Sequence, residues 1–187
     1  PLDLSKRSID ACSPAAGSDA PVLTAEQAAA YTVENVFKKV AADWTPAQHA
    51  AQGQAIAIRQ RGKRAIYKNV TMQGVQDTYY INKADASAYL EDCTVAGEVD
   101  FIYGDGTAYF KNCRLQPVSS SACITAPNTQ TGYMGLVFDG CVIEKISDAK
   151  DGVAGYRLGR PWGDSPAATY LNTTMQVLPS DAGWGKM

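Results

Sequence analysis

Histidine is almost absent: the 187 residues contain one, His49. It lies in the Ala- and Gln-rich stretch Pro46-Ala47-Gln48-His49-Ala50, which suits a surface or linker residue, and no Gly-x-Ser-x-Gly elbow accompanies it. A serine hydrolase of the usual kind needs a histidine base beside its nucleophile, so that class is disfavoured. His-Glu-x-x-His is missing too, and none of the five cysteines, Cys12, Cys93, Cys113, Cys123 and Cys141, stands in a Cys-x-x-Cys pair. Both absences argue against a zinc centre, and neither a metal nor another cofactor is expected.

There is no run of basic residues, and 17 Lys and Arg are nearly matched by 19 Asp and Glu. The electrostatic footprint of a nucleic-acid binder is therefore lacking. No apolar stretch reaches the length of a membrane span, and Pro1 to Ala11 lack the apolar centre of a signal peptide. The start at Pro1 rather than Met suggests a trimmed terminus, with any export signal already removed.

What is present points to strands. Hydrophobic residues make up 45% of the chain, and 16 Gly and 10 Tyr, with many Thr and Asn, lean towards extended segments and tight turns. The length fits one domain with a real core. Five segments share a pattern: a large apolar residue, two positions later Asn, Asp or Gly, then a small or β-branched residue or Cys, and two further on another apolar residue. They begin at Tyr67, Leu90, Phe110, Phe138 and Tyr170. From Val70 to Cys93, Cys113, Cys141 and Thr173 the intervals are 23, 20, 28 and 32 residues.

That period is too short for a helix pair with loops and suits one coil of a parallel β-helix, with inserted loops where it lengthens. An antiparallel sandwich is the alternative, but it needs hairpin signals that are sparse here. Stacked coils place Cys93 and Cys113 at the same point of adjacent turns, within disulfide reach if the rungs are in register, with Cys141 next. Buried free thiols are the other reading.

The first 45 or so residues differ in character. Residues 1–22 read as an irregular lead-in. Residues 23–46 read as helical, because Thr24-Ala25-Glu26-Gln27 has capping-box spacing and Val36, Phe37 and Val40 share a helical face. Such a helix can cover the open end of a β-helix. Residues 47–187 then form the β-helix proper.

Among groups that carry chemistry, carboxylates remain. Asp77 and Asp100 each fall seven residues past an anchor of the repeat, Val70 or Cys93, among apolar and aromatic neighbours. Stacking brings both to one face, and an acid in such surroundings costs desolvation energy unless it is paired. Arg160, held between Gly159 and Pro161, can make charge-assisted bonds to a carboxylate and keep it ionised. Singly, each segment has an ordinary structural explanation: a turn-forming Asp, a surface Arg, a packing Trp162.

Together they resemble the pectin methylesterases, or pectinesterases, of bacterial type. The resemblance runs through Gly53-Gln54-Ala55-Ile56-Ala57-Ile58, Gly74-Val75-Gln76-Asp77-Thr78, Gly97-Glu98-Val99-Asp100-Phe101-Ile102-Tyr103-Gly104, Leu158-Gly159-Arg160-Pro161-Trp162 and Gly183-Trp184-Gly185-Lys186-Met187. It implies a right-handed, single-stranded parallel β-helix. It further implies Asp100 as the nucleophile, Asp77 as general acid and then base, Gln54 and Gln76 as oxyanion donors, and Arg160 as the group that orients Asp100.

Tyr80, Val99, Tyr103, Trp162 and Met187 match positions that line the family's groove for methyl-esterified homogalacturonan. Cys93 and Cys113 resemble a disulfide pair of some bacterial members, which implies an oxidising compartment, secreted or periplasmic. The family's upstream coils have no counterpart here, while residues 23–46 resemble a helical tail that follows the core in several bacterial members. Missing or permuted upstream coils are thus expected. A silent β-helix that binds polysaccharide is the competing function, and intact Gln54, Gln76, Asp77, Asp100 and Arg160 favour the esterase.

Overall fold

The structure, a computed structural model, describes Thr32–Glu34 and residues 56–145 and 153–187. All regular structure among these residues is strand, and the strands recur in threes. The first, β1 (Thr32–Glu34), precedes five such triplets. The coils that follow are β2 (Ile58–Gln60), β3 (Ala65–Lys68) and β4 (Thr71–Gln73); β5 (Tyr79–Ile81), β6 (Ser87–Glu91) and β7 (Thr94–Gly97); β8 (Ile102–Gly104), β9 (Thr107–Lys111) and β10 (Arg114–Pro117). Two more complete the stack: β11 (Cys123–Pro127), β12 (Leu136–Asp139) and β13 (Val142–Ile143), then β14 (Arg157–Gly159), β15 (Ala168–Leu171) and β16 (Thr174–Met175).

Each strand pairs in parallel with its equivalent one coil away, giving three sheets ordered β1-β4-β7-β10-β13-β16, β2-β5-β8-β11-β14 and β3-β6-β9-β12-β15. This is a parallel β-helix, as the repeat predicts.

The repeat has a direct physical reading. Its Asn, Asp or Gly is the residue that turns the chain sharply between the strands β3–β4, β6–β7, β9–β10, β12–β13 and β15–β16. Asn69, Asp92, Asn112, Gly140 and Asn172 all have left-handed backbones, with φ of 54°, 53°, 51°, 65° and 48°. Asn and Asp tolerate that region better than other L-residues, and Gly adopts it freely. The large apolar residue three positions before each anchor faces inward. Tyr67, Leu90, Phe110, Phe138 and Tyr170 form one column in register, with Phe138 stacked 4.6 Å from both Phe110 and Tyr170. Columns of like residues repeat the same packing at every coil, and each fully buried aliphatic or aromatic chain contributes roughly 1.5–3 kcal/mol.

Two expectations are corrected. Within the segment expected to be helical, Thr32–Glu34 is strand β1, aligned with Thr71–Gln73. Two of its residues, Thr32 and Val33, are β-branched, and pairing on β4 satisfies backbone groups that would otherwise form a sheet edge. The rest of residues 23–46 and the lead-in 1–22 lie outside the described residues, as do Cys12, His49 and Gln54.

The Cys93–Cys113 bridge is not formed either: Cys93, Cys113, Cys123 and Cys141 are free buried thiols. Stacking does put Cys93, Cys113 and Cys141 in one column, but each Sγ turns onto main-chain carbonyls. Cys93 meets Tyr67 O at 3.5 Å and Glu91 O at 3.4 Å, and Cys113 meets Leu90 O at 3.5 Å and Lys111 O at 3.4 Å.

Candidate active site

The connections that run from β4 to β5 and from β7 to β8 deliver the two aspartates. The Asp77 amide donates to Val99 O at 3.0 Å and Gln76 bridges Val99 in parallel, so Asp77 falls beside Asp100 on adjacent rungs, about 4.8 Å apart at the backbone. Both residues have left-handed backbones, φ 63° and 50°. Such a conformation costs of order 1 kcal/mol away from glycine, and here it recurs at the two acids of one cluster.

Asp100 is 6% exposed. Its charge is met by Arg160, which follows β14: Nε donates to Oδ1 at 2.9 Å and to Oδ2 at 3.1 Å, and Nη2 donates to Oδ2 at 2.5 Å. Arg160 is itself fixed by its amide, which donates to Thr125 O at 2.9 Å. Next to it, Gly159 leaves no space for a side chain, since an added Cβ falls 2.1 Å from Thr125 Oγ1.

Asp77 has a different environment. Burial, and after it the negative charge of Asp100, push its carboxyl up to about 6, while Arg160, the Tyr103 hydroxyl and the Gln76 amide pull the other way without overcoming them. Asp77, one rung from a carboxylate that is paired with Arg160, is thus able to keep a proton in mildly acidic water. Such a pair can serve as nucleophile and proton donor.

The aromatic residues lie on the outer face of the same sheet. Tyr80 and Tyr103 stack in parallel, 4.3 Å apart with 3° between planes, and Trp162 leans on both at 6.4 and 5.8 Å. Trp162, 40% exposed, presents the open face, whereas Tyr103 is buried at 8% and acts from beneath. Val99 is half-buried and contributes the carbonyl that seats Asp77. Met187 is 64% exposed, two residues past Gly185, whose amide donates to Gly159 O at 2.8 Å.

The site includes one residue the sequence reading left without a role. Cys123 lies on the rung after Asp100, because β11 pairs with β8 through Thr125 and Ile102. Its thiol is pushed up to about 12 by burial first and by the Asp100 charge second, so it stays protonated against the carboxylate. The signal was available: Asp77, Asp100 and Cys123 are spaced 23 residues apart.

Fold and site together define a β-helix protein with a paired-carboxylate centre beneath an aromatic shelf. The pectinesterase family profile matches residues 18–187, and the chain belongs to that family. Among curated relatives, a probable pectinesterase/pectinesterase inhibitor 21 of Arabidopsis thaliana is 35% identical over 147 residues, covering 72% of this chain and 21% of the relative. Among solved structures, the pectin methylesterase of Aspergillus niger matches with a TM-score of 0.65 at 27% identity, over 72% of this chain and 44% of that one. That of Erwinia chrysanthemi matches with a TM-score of 0.62 at 31% identity, over 83% and 51%. The chain therefore spans about half, or less, of the length of these proteins.

Proposed function

We propose that this chain is the catalytic portion of a secreted or periplasmic pectin methylesterase that hydrolyses methyl esters of polygalacturonate and releases methanol. The observation that carries the reading is the asymmetry of the adjacent carboxyls: Arg160 holds Asp100 through two nitrogens while Asp77 is pushed up to about 6. A related pectin methylesterase, 30% identical with a TM-score of 0.63, is known in complex with a hexasaccharide, which fits a groove that lays sugar rings on Trp162.

In the first step an Asp100 carboxylate oxygen attacks the ester carbonyl carbon, and the carbonyl oxygen becomes an oxyanion that the Gln76 amide, with Gln54, can stabilise. As the intermediate collapses the bond to the methoxy group breaks, and protonated Asp77 gives its proton to the departing methanol. The substrate is left as an anhydride on Asp100. Asp77, now a carboxylate, takes a proton from water; the hydroxide attacks the sugar's carboxyl carbon, the bond to Asp100 breaks, and a free galacturonate leaves. One water and one ester give one acid and one methanol.

Methanol release from highly methylated pectin tests the reading, comparing the chain with Asp100→Asn. Release by the parent and its loss in the variant are expected. No methanol from the folded parent sinks the enzyme assignment, and undiminished release by Asp100→Asn sinks the nucleophile.

A further inference from the structure

Arg160 and Asp100 sit two coils apart. The register Ile102, Thr125, Gly159 runs through the third, fourth and fifth coils, so Arg160 crosses the whole of the intervening coil, a rise of roughly 9.5 Å, to reach the carboxylate. A side chain working at that reach places its guanidinium only as well as its own backbone is placed. Whatever fixes that backbone is therefore part of the site.

Thr125 occupies the intervening coil and meets the Arg160 segment twice. Its carbonyl accepts the Arg160 amide at 2.9 Å, an ordinary rung of the parallel ladder, but its Oγ1 also donates to Leu158 O at 2.9 Å. The Tyr170 hydroxyl, from β15 in the last coil, donates to the same oxygen at 2.8 Å. Thr125 is fully buried and continues the core column Ile58, Tyr79, Ile102, where valine would fill the same volume. A hydroxyl in such a place costs free energy unless it is bonded, and its acceptor is the Leu158–Gly159 peptide that leads into Arg160. Gly159 completes the fit, because the space a side chain would need there is held by the Thr125 hydroxyl.

Resting on the esterase reading, we propose that Thr125 and Tyr170 are positioning residues for the reaction: their two hydroxyls clamp the Leu158–Gly159 peptide and so aim Arg160 at Asp100. Thr125 is sealed from solvent and Tyr170 belongs to the inward column, so both act from inside the stack while the two acids face outward. With one hydroxyl from the coil below and one from its own coil, the peptide cannot tilt without breaking a hydrogen bond. A tilt is amplified along the arginine, whose guanidinium lies several bonds from the backbone that moves. Asp100 then keeps a nearby charge but loses the paired donors that orient it.

The test compares Thr125→Val, Tyr170→Phe, the two combined, and Thr125→Ser, each first shown to be folded by circular dichroism. Each hydroxyl lost is expected to lower kcat for methanol release roughly 2- to 10-fold, the size of one net hydrogen bond, and both together roughly 5- to 100-fold, with KM unchanged. Thr125→Ser keeps the donor and keeps the rate. In an Arg160→Gln background the same pair of replacements costs nothing further, because both act through the arginine. A parental kcat in the double variant, or a loss as large beside Arg160→Gln as beside Arg160, overturns the clamp. A reading independent of activity comes from the Arg160 Nε–H signal in heteronuclear NMR, which is expected to shift in the double variant and stay in place in Thr125→Ser. If the parent releases no methanol but that signal shifts, the esterase reading falls and the clamp stands; an unmoved signal removes the clamp whatever the chemistry.

Discussion

Arg160 reaches back across the stack to hold Asp100, with Nε 2.9 Å from Oδ1 and Nη2 2.5 Å from Oδ2, while its own amide is tied to Thr125 at 2.9 Å. The proposed nucleophile on one coil therefore depends on a cation delivered by another, and only correct stacking of the coils between them brings the two together.

Replacing Arg160 by Lys keeps the charge and loses the fork. Because a compact ammonium cannot reproduce the paired donors, kcat/KM for methanol release is expected to fall about 10- to 100-fold, and further in Arg160→Gln. Initial rates measured on one pectin preparation decide it, and full activity of Arg160→Lys would show that charge alone suffices.

The raised carboxyl of Asp77 sets a pH dependence. The proposed first step needs Asp77 protonated, so kcat/KM should fall as pH rises through about 6. The stability consequence has a definite sign. The folded chain binds a proton on Asp77 that the unfolded chain, at the usual carboxylate value, gives up, so stability declines as pH rises from about 4 to about 6 and is level above it. Asp77→Asn should flatten that decline in thermal melts taken across the window.

Tyr103 offers a finer adjustment. Its hydroxyl favours the charged form of Asp77, so Tyr103→Phe should move the falling limb of the pH profile to higher pH while retaining the stack on Tyr80. An unshifted limb, with wild-type stability, would remove the hydroxyl from the proton economy of the site.

Free thiols at Cys93, Cys113, Cys123 and Cys141 predict the result of alkylation. In the native protein these four should resist iodoacetamide because they are buried. After unfolding without reductant all four should react, and a mass spectrum lacking label on Cys93 and Cys113 would restore the bridge.

The turn column can be probed at Asn112, φ 51°. Asn112→Gly should change stability little, whereas Asn112→Val should cost about 1–3 kcal/mol in denaturant unfolding, because a β-branched residue resists the left-handed region.

The coil repeat could be read from Asn69, Asp92, Asn112, Gly140 and Asn172 because a backbone constraint selects residue type at each turn. Asp77 and Asp100 are legible in the same repeat, each seven residues past its anchor, Val70 or Cys93. Cys123 escapes that count because the chain takes six residues from Pro117 to Cys123 but only three from the aligned Gly97 to Asp100, so seven past Cys113 falls on Ser120 instead. The strand at Thr32–Glu34 was hidden by alanine-rich surroundings with helical periodicity, and its pairing depends on β4, about forty residues away.

The lengthened intervals of 28 and 32 residues reflect growth confined to particular connections, such as 128–135 between β11 and β12. There Tyr133 and Met134 are 45% and 62% exposed, yet Leu136 through Asp139 still align with Ala108 through Lys111. Catalytic geometry and peripheral decoration are thus mechanically uncoupled. Foreign peptides or sugar-binding loops could be grafted at that rim, tailoring which polymers the protein grips, without retuning the distance between its two acids.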